Sequence, residues 1–189
     1  EKKTAEDLWN RIKPFAAYAF NKAHSASYGR VAYETAYMKA NYPVVYMCAC
    51  LTAESGDIEQ IGVYISEAKR MGIDILPPAV NESFGDFTVV NNPFKKDEKA
   101  IRFGLYTIKN LGYDIADHIV EIRKKAGPFK SYTDFLDRIT HKNLNRKSLE
   151  ALIKAGALDS FGHNRGHLLH NLEEAVSYNR TQSQNNKSQ

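Results

Sequence analysis

The sequence has very few cysteines, which argues against a disulfide-stabilised or zinc-centred protein. Only Cys48 and Cys50 are present among 189 residues. Side chains two positions apart on a helix diverge, so this pair is poorly placed for a disulfide, and an isolated Cys-x-Cys is a poor zinc site. Both thiols are therefore expected to be free and buried in a reducing compartment, which predicts a cytoplasmic location.

Long apolar runs are also missing. No stretch approaches the roughly 20 apolar residues that a membrane-spanning helix needs, so no membrane partner is expected. Residues 1–9 (EKKTAEDLW) lack the apolar centre of a signal peptide and have no initiating methionine. This beginning is expected for a piece of a longer chain.

Familiar catalytic motifs are absent as well. The chain has no Ser-His-Asp, HExxH, Walker or Rossmann pattern. Two-metal nucleotidyl transfer needs carboxylates that converge on the metals, whereas the acidic residues here fall at helix caps or on faces expected to be wet. We therefore assign no catalytic residue and no metal ligand, and expect no cofactor in this chain.

What remains is the composition of an ordinary globular protein. Hydrophobic residues make up 43% and charged residues 25% of the chain, and the net charge is +4. Such a length can hold one compact domain or two small ones. The mildly basic balance permits a nucleic-acid partner without requiring one.

Helical patterning dominates the first part of the chain. Residues 4–13 predict an amphipathic helix that Pro14 ends or kinks. Residues 20–42 carry little charge, which predicts a buried helix with a polar, cationic beginning. Pro43 can start an apolar helix, and Asp57 is suited to cap a further helix with apolar residues at three- and four-residue spacing.

Two short strand candidates interrupt the helices. DFTVV at 86–90 and AIRF at 100–103 flank a charged loop and predict a β-hairpin. Helical patterning then resumes in two similar helix-turn-helix units, and the polar C-terminal residues are expected to be disordered. The fold class is therefore predicted as mainly α: a helical segment, a short β-hairpin and helix-hairpin-helix units. The predicted divisions are residues 1–76, 77–103, 104–175 and 176–189.

The first helical unit after the β-hairpin resembles a helix-hairpin-helix motif. The motif usually has two glycines around one apolar residue; here the triplet is Asn110-Leu111-Gly112, and Asn tolerates positive φ better than most residues. Outward backbone N–H groups and a helix N-terminus can hold a phosphate without reading a base. With Lys109 and Lys124 nearby, these residues predict DNA binding. The alternative is that the helices only pack and the lysines are solvated.

A longer set of short motifs supports a family resemblance. They are FNKAHSASY (20–28), YETAY (33–37), KANYP (39–43), RMGI (70–73), ILPP (75–78), VN (80–81), IRFG (101–104) and LEALIKAGALDSFG (149–162). Together they resemble, in order, the alpha subunit of bacterial DNA polymerase III, a C-family replicative polymerase, from the end of its fingers domain into its helix-hairpin-helix region. The resemblance covers about nine tenths of the chain, which makes it far more specific than a lone motif.

The resemblance implies a fragment of a DNA-directed DNA polymerase of DNA replication, inactive by itself. The family's fingers segment lines the incoming-nucleotide pocket, and its Asn-Lys-x-His pattern falls on Asn21, Lys22 and His24. The catalytic aspartates and their Mg²⁺ would lie in a palm outside this chain. Implied partners are primer-template DNA, an incoming dNTP, the rest of the alpha subunit, and the sliding clamp and other replisome subunits through regions outside this chain.

Two other classes of function stay open at this stage. One is a free-standing helix-hairpin-helix protein that binds DNA or acts as a scaffold without polymerase activity. The other is a protein-protein module with no DNA affinity. Without the family resemblance, Lys22 and His24 would also be read as an ordinary polar turn before a helix.

Overall fold

The structure, a computed structural model, describes residues 2–18 and 21–185. The chain forms two compact units, Glu1–Pro43 and Val44–Gln189. Helices dominate both units, and a small sheet lies in the second, so the predicted mainly α fold class is confirmed. Phe20 of the first family motif and residues 186–189 of the predicted tail lie outside the described residues.

The first unit contains two helices, α1 (Lys2–Tyr18) and α2 (Lys22–Asn41). Pro14 lies inside α1 and does not end it. None of the residues of α2 is buried, and 71% of Tyr33 is exposed. The prediction of a buried helix is therefore wrong for this chain. Low charge predicts that a helix packs against other apolar residues. It does not show that those residues belong to the same 189-residue chain.

The second unit contains the remaining elements. They are α3 (Pro43–Ala53), α4 (Ile58–Arg70), β1 (Ile75–Leu76), β2 (Thr88–Asn91), β3 (Lys99–Arg102), α5 (Tyr113–Ala126), α6 (Tyr132–Arg138), α7 (Arg146–Ala155), α8 (Arg165–His170) and α9 (Leu172–Asn185), with 3₁₀ turns at Leu105–Thr107 and Asp159–Phe161. Asp57 caps α4 as predicted, accepting the N–H groups of Glu59 and Gln60. In the described part of the chain, no helix is both long and apolar enough to cross a membrane.

The sheet has the strand order β1-β3-β2. The predicted hairpin is confirmed: β2 and β3 are antiparallel, with Val89 opposite Ile101. Strand β1, which was not among the two strand candidates, pairs in parallel with β3, with Ile75 opposite Ile101. Ile101 and Phe87 share a core with Met47 and Leu51 of α3. This packing continues across the division predicted after residue 76.

A larger core lies among α5, α6, α7 and α9. Its completely buried side chains include Ile115, Ile119, Phe135, Leu149 and Leu152. Each such side chain contributes about 1.5–3 kcal/mol relative to an exposed one. This core positions the start of α5 and the face of α7, which together carry the candidate site.

Helix α9 extends to Asn185, whereas the sequence predicted disorder from residue 176. Val176 packs into the larger core, and Asn179 is 2% exposed. The Asn179 side-chain amide donates to the carbonyls of Leu136 and Ile139, at 2.6 and 2.8 Å. The structure therefore differs from the prediction over residues 176–185, because a polar segment is fixed by one satisfied buried amide that composition does not reveal.

Candidate nucleic-acid interface

The hairpin turn connects the 3₁₀ turn at Leu105–Thr107 to α5. The Leu111 N–H donates to the Ile108 carbonyl at 3.0 Å, and the Leu111 side chain is buried in the larger core. Asn110 has φ 68°, in the left-handed region that Asn tolerates. The turn is thus closed by its own hydrogen bond and anchored by one apolar side chain, with Asn110 in the position that is usually glycine.

Gly112 has a different role from the one that its place in the motif suggests. Its φ of −70° and ψ of 153° are extended values that any residue adopts. A Cβ built on Gly112 would lie 2.7 Å from Oδ1 of Asp114. The absence of a side chain at Gly112 therefore leaves room for the Asp114 carboxylate at the start of α5; it is not needed for the backbone conformation.

The first N–H groups of α5 are available to a ligand. Ile115 N–H donates to the Asp114 side chain at 2.9 Å, and Ala116 N–H donates to the Gly112 carbonyl at 3.1 Å. Within residues 2–18 and 21–185, the N–H groups of Gly112, Tyr113 and Asp114 have no hydrogen-bond acceptor. Unpaired N–H groups at the positive end of a 14-residue helix form an environment that favours an anion.

The Asp114 carboxylate sits at the same helix start and would oppose an incoming anion. It is not free, since its Oδ2 accepts a hydrogen bond from the Asn143 side-chain amide. An acidic residue in the first turn also stabilises the helix dipole. The anion site is thus defined by the backbone N–H groups, and the nearby carboxylate is already engaged with the loop before α7.

The structure places the predicted lysines in different locations. Lys109 is exposed and adjoins the turn. Lys124 lies near the other end of α5, about 16 Å along the helix axis from Tyr113 at 1.5 Å per residue, and its Nζ is 5.3 Å from the Phe84 ring centroid. Lys109, Asn110, Leu111 and Gly112 are therefore brought together, and Lys124 is separated from them.

A groove of about 900 Å³ begins at the hairpin turn. Residues of α7 also line it, and the charged residues of the lining are Lys109, Lys147, Lys154 and Glu150. Lys154 is paired with Glu150, whereas Lys147 has no acidic partner within the described chain. Sequence reasoning missed Lys147 because its proximity to the turn comes from packing alone; the only signal was a basic residue at the start of a helix.

Another face of the turn is aromatic and acidic. The Tyr113 ring packs edge-on against Tyr106, with 4.5 Å between centroids. The Tyr106 hydroxyl donates to Asp117. This hydrogen bond, with burial and the nearby Asp86 carboxylate, raises the pKa of Tyr106 to about 12. Negative charge is therefore concentrated beside the tyrosines, in contrast to the lysines that line the groove.

The predicted nucleotide-pocket residues lie together in the first turn of α2. The Asn21 side-chain oxygen caps the helix by accepting the His24 N–H at 3.1 Å. The His24 ring lies 4.3 Å from the Tyr28 ring, and Lys22 is exposed. The cap fixes the helix start and the relative position of these side chains. Their contact with a nucleotide stays a prediction.

Metal ligands are not clustered in the described ranges. Across residues 2–18 and 21–185, no three His, Cys, Asp or Glu side chains are arranged to hold a metal ion.

The turn and the helix that follows it define a class. Residues 72–168 match the profile of the helix-hairpin-helix motif family. The match covers about half of the chain and includes the hairpin turn, the groove and α7. The chain belongs to the helix-hairpin-helix motif family.

Similarity to individual proteins identifies the chain more specifically than the motif family does. It is 45% identical over 171 residues to the DNA polymerase III alpha subunit of Saccharopolyspora erythraea, covering 90% of this chain and 14% of the relative. The corresponding subunit of Deinococcus radiodurans is 46% identical over 180 residues, covering 93% and 13%. That of Thermus aquaticus is 44% identical over 174 residues, covering 92% and 14%.

These matches confirm the resemblance found in the sequence motifs. The similarity extends along about nine tenths of the chain. The chain spans only about one seventh of the length of these curated relatives.

Proposed function

We propose that this chain is part of a bacterial DNA polymerase III alpha subunit and grips duplex DNA independently of sequence. The observation that carries the proposal is the group of three unpaired N–H groups at Gly112, Tyr113 and Asp114, at the start of α5. Backbone N–H groups recognise phosphate oxygens, which every nucleotide has, and carry no information about bases. A replicative enzyme needs contacts of this kind because it must bind every sequence that it copies.

The rigidity of the turn supports this role. Leu111 is 6% exposed and belongs to the larger core, so the turn is fixed before DNA arrives. Lys109 adds a charge beside the N–H groups. A preorganised site spends little of its binding free energy on ordering its own loop. Lys124, at the far end of α5, would contact a different phosphate if it contacts DNA.

The fingers part of the proposal concerns Asn21, Lys22 and His24. We infer that they form part of the wall of the incoming-nucleotide pocket, with Lys22 supplying charge near the triphosphate and His24 lying against the sugar. The cap at Asn21 and the ring contact of His24 with Tyr28 give these side chains a defined arrangement, which supports the role. A His24→Ala change in the complete polymerase should then alter the discrimination against ribonucleotides.

The remaining roles belong to the whole polypeptide. Template-directed addition of deoxynucleotides, with Mg²⁺ held by palm aspartates, is the activity proposed for it, and this chain alone is expected to be inactive. Contacts with the sliding clamp and other replisome subunits, and a cytoplasmic location, are part of the same proposal. The relatives named DNA polymerase III alpha subunit support it.

Fluorescence anisotropy of a labelled primer-template duplex at several salt concentrations tests the grip. The 189-residue chain should bind duplexes of different sequence equally, with affinity that falls steeply as salt rises. Gly112→Val should weaken binding at least tenfold, because its side chain would cover the N–H groups, while circular dichroism shows an unchanged fold. A folded chain that binds no duplex at low salt would refute the proposed grip.

The free-standing helix-hairpin-helix protein is less well supported. Helix α2 leaves Tyr28 and Val31, which are three positions apart and therefore neighbours on the helix, more than half exposed, and adjoining exposed apolar side chains of this kind are typical of an interface. Sequencing the gene on the upstream side separates the two: an open frame that continues into a palm with paired aspartates supports the polymerase, and a Met codon next to Glu1 supports the free-standing protein.

A further inference from the structure

We propose that the groove between the hairpin turn and α7 takes the sugar-phosphate backbone of the DNA strand held by the hairpin, with Lys147 as a phosphate contact on α7. This inference rests on the proposed duplex grip and gives the bound strand a direction. The strand leaves the α5 N-terminus over the groove and not over Tyr106 and Tyr113.

The shape of the groove is the first argument. Its lining includes Lys109 and Asn110 of the turn, so the groove begins two residues before Gly112, the first residue of the anion site. Its volume of about 900 Å³ is far larger than the roughly 30 Å³ that one water molecule occupies in the liquid. The lining also contains Pro77, Pro78 and Ala151, which present no charge that would have to be desolvated when a deoxyribose lies against them.

Charge is the second argument. Lys109 and Lys147 face the groove from different elements, and neither is paired with a carboxylate in the part of the chain that the structure describes. The third lysine, Lys154, is balanced by Glu150. Two unpaired cations at the two sides of a groove suit a polyanion that passes between them.

The acidic face of the turn is the third argument, because it excludes the alternative path. Tyr106 donates to Asp117, and the Asp86 and Asp117 carboxylates both act on the Tyr106 hydroxyl. A strand that passed over the Tyr106–Tyr113 pair would bring its phosphates towards these carboxylates. The aromatic pair alone would suit stacking, but the charges beside it repel a phosphate backbone.

The test measures duplex binding of the 189-residue chain against salt concentration for four variants. Lys147→Ala should weaken binding roughly fivefold at 0.1 M salt and reduce the slope of log K against log salt by about 0.9, as one lost phosphate contact predicts. Lys147→Arg should retain both values. Tyr106→Leu, which removes an aromatic ring beside the acidic face and touches none of the three N–H donors, should change affinity less than twofold.

The matched control is Lys96→Ala, which removes the same charge from the exposed loop between β2 and β3. It should leave the slope unchanged, and thermal unfolding should show that all four variants are folded. If Lys147→Ala resembles Lys96→Ala while Gly112→Val, the variant of the grip test above, weakens binding at least tenfold, the groove path is wrong and the hairpin grip stands. A loss with Tyr106→Leu and none with Lys147→Ala also overturns the groove path. Absence of salt-dependent binding by the wild-type chain refutes the grip itself, and the groove path with it.

Discussion

Helices α2 and α5 have a similar share of hydrophobic residues, but those of α2 are exposed and those of α5 are largely buried. In α2 no residue is buried, and Tyr28, Val31 and Tyr33 are each more than half exposed. In α5, Ile115, Ile119 and three other residues are buried. The difference is that the larger core provides α5 with apolar partners on α6, α7 and α9, whereas α2 has no such partner among the described residues.

This comparison separates two kinds of information in a sequence. The apolar face of α5 records packing within the chain and therefore fixes the hairpin turn in place. The aromatic and apolar side chains of α2 are not buried against any of the residues that the structure describes. The chain spans about one seventh of its relatives' length, and we propose that the missing complement lies in the rest of the alpha subunit.

The largest difference in the free energy of unfolding should come from truncating one aromatic side chain in each unit and comparing the two variants. Phe135 is completely buried and Tyr33 is 71% exposed. Phe135→Ala should lower the free energy of unfolding by about 3–5 kcal/mol through lost burial and a cavity. Tyr33→Ala should change it by no more than about 0.5 kcal/mol. Urea denaturation followed by circular dichroism measures both; equal effects would contradict the comparison.

A second pair compares a buried and an exposed arginine. Arg123 of α5 donates to the carbonyls of Val80 and Ser83, each at 2.8 Å, and is 8% exposed. Arg123→Met leaves these carbonyls without that donor and should cost about 2–4 kcal/mol. Arg30 of α2 forms an exposed pair with Glu34, so Arg30→Met should stay within about 0.5 kcal/mol. An unfolding midpoint unchanged by Arg123→Met would show that these hydrogen bonds do not hold the loop before β2.

The same substitution should have opposite signs at two glycines. Gly156 follows α7 with φ +80°, and a Cβ there would meet the Arg165 guanidinium. Gly156→Ala should therefore destabilise the fold by about 1–2 kcal/mol. Gly29 lies inside α2, with open space around it, so Gly29→Ala should stabilise that helix by about 0.5–1 kcal/mol. Thermal scans and helical ellipticity report the two changes, and a common sign at both positions would refute this account.

The smallest effect concerns pH and involves only the second unit. Burial, together with His141 and Lys125, lowers the pKa of His118 below its ordinary value of 6.5, while Glu121 opposes this. The unfolded chain then binds more protons than the folded one in that range. The stability that His118 contributes is complete above about pH 7 and declines as the pH falls through about 6.5.

Unfolding free energies measured between pH 5 and 7.5 check this sign. His118→Gln should reduce the decline between pH 7 and 5, while the part that comes from carboxylates persists. A variant that loses stability on acidification as steeply as the wild type would show that His118 does not contribute.

Much of the fold could be predicted from local patterns. The β-hairpin followed from two short apolar runs around a charged loop, and the α4 cap followed from Asp57 before a helical repeat. Both depend on residues close together in the sequence. Strand β1 was not predicted as part of the sheet because two residues carry too weak a pattern, and its pairing with Ile101 is long-range.

The hairpin turn of the candidate site could be predicted from the sequence, whereas the positions of the lysines around it could not. Asn110 could be expected to take positive φ from its residue type, and it does. The distance between Lys124 and Gly112 could be predicted only once the length of α5 was known. The proximity of Lys147 to the turn could be predicted only from the packing of α7. The order in α9 depended on Asn179, whose amide satisfies two carbonyls of another segment.

The most direct test of the central claim is the amide NMR spectrum of the 189-residue chain during titration with duplex DNA. A hairpin that holds phosphate through its backbone predicts that the largest chemical-shift changes occur at Gly112, Tyr113 and Asp114. Duplexes of different sequence should produce the same changes, and the amides of α2 should move little. Largest changes outside residues 109–114, or changes at these amides that depend on DNA sequence, would contradict the claim.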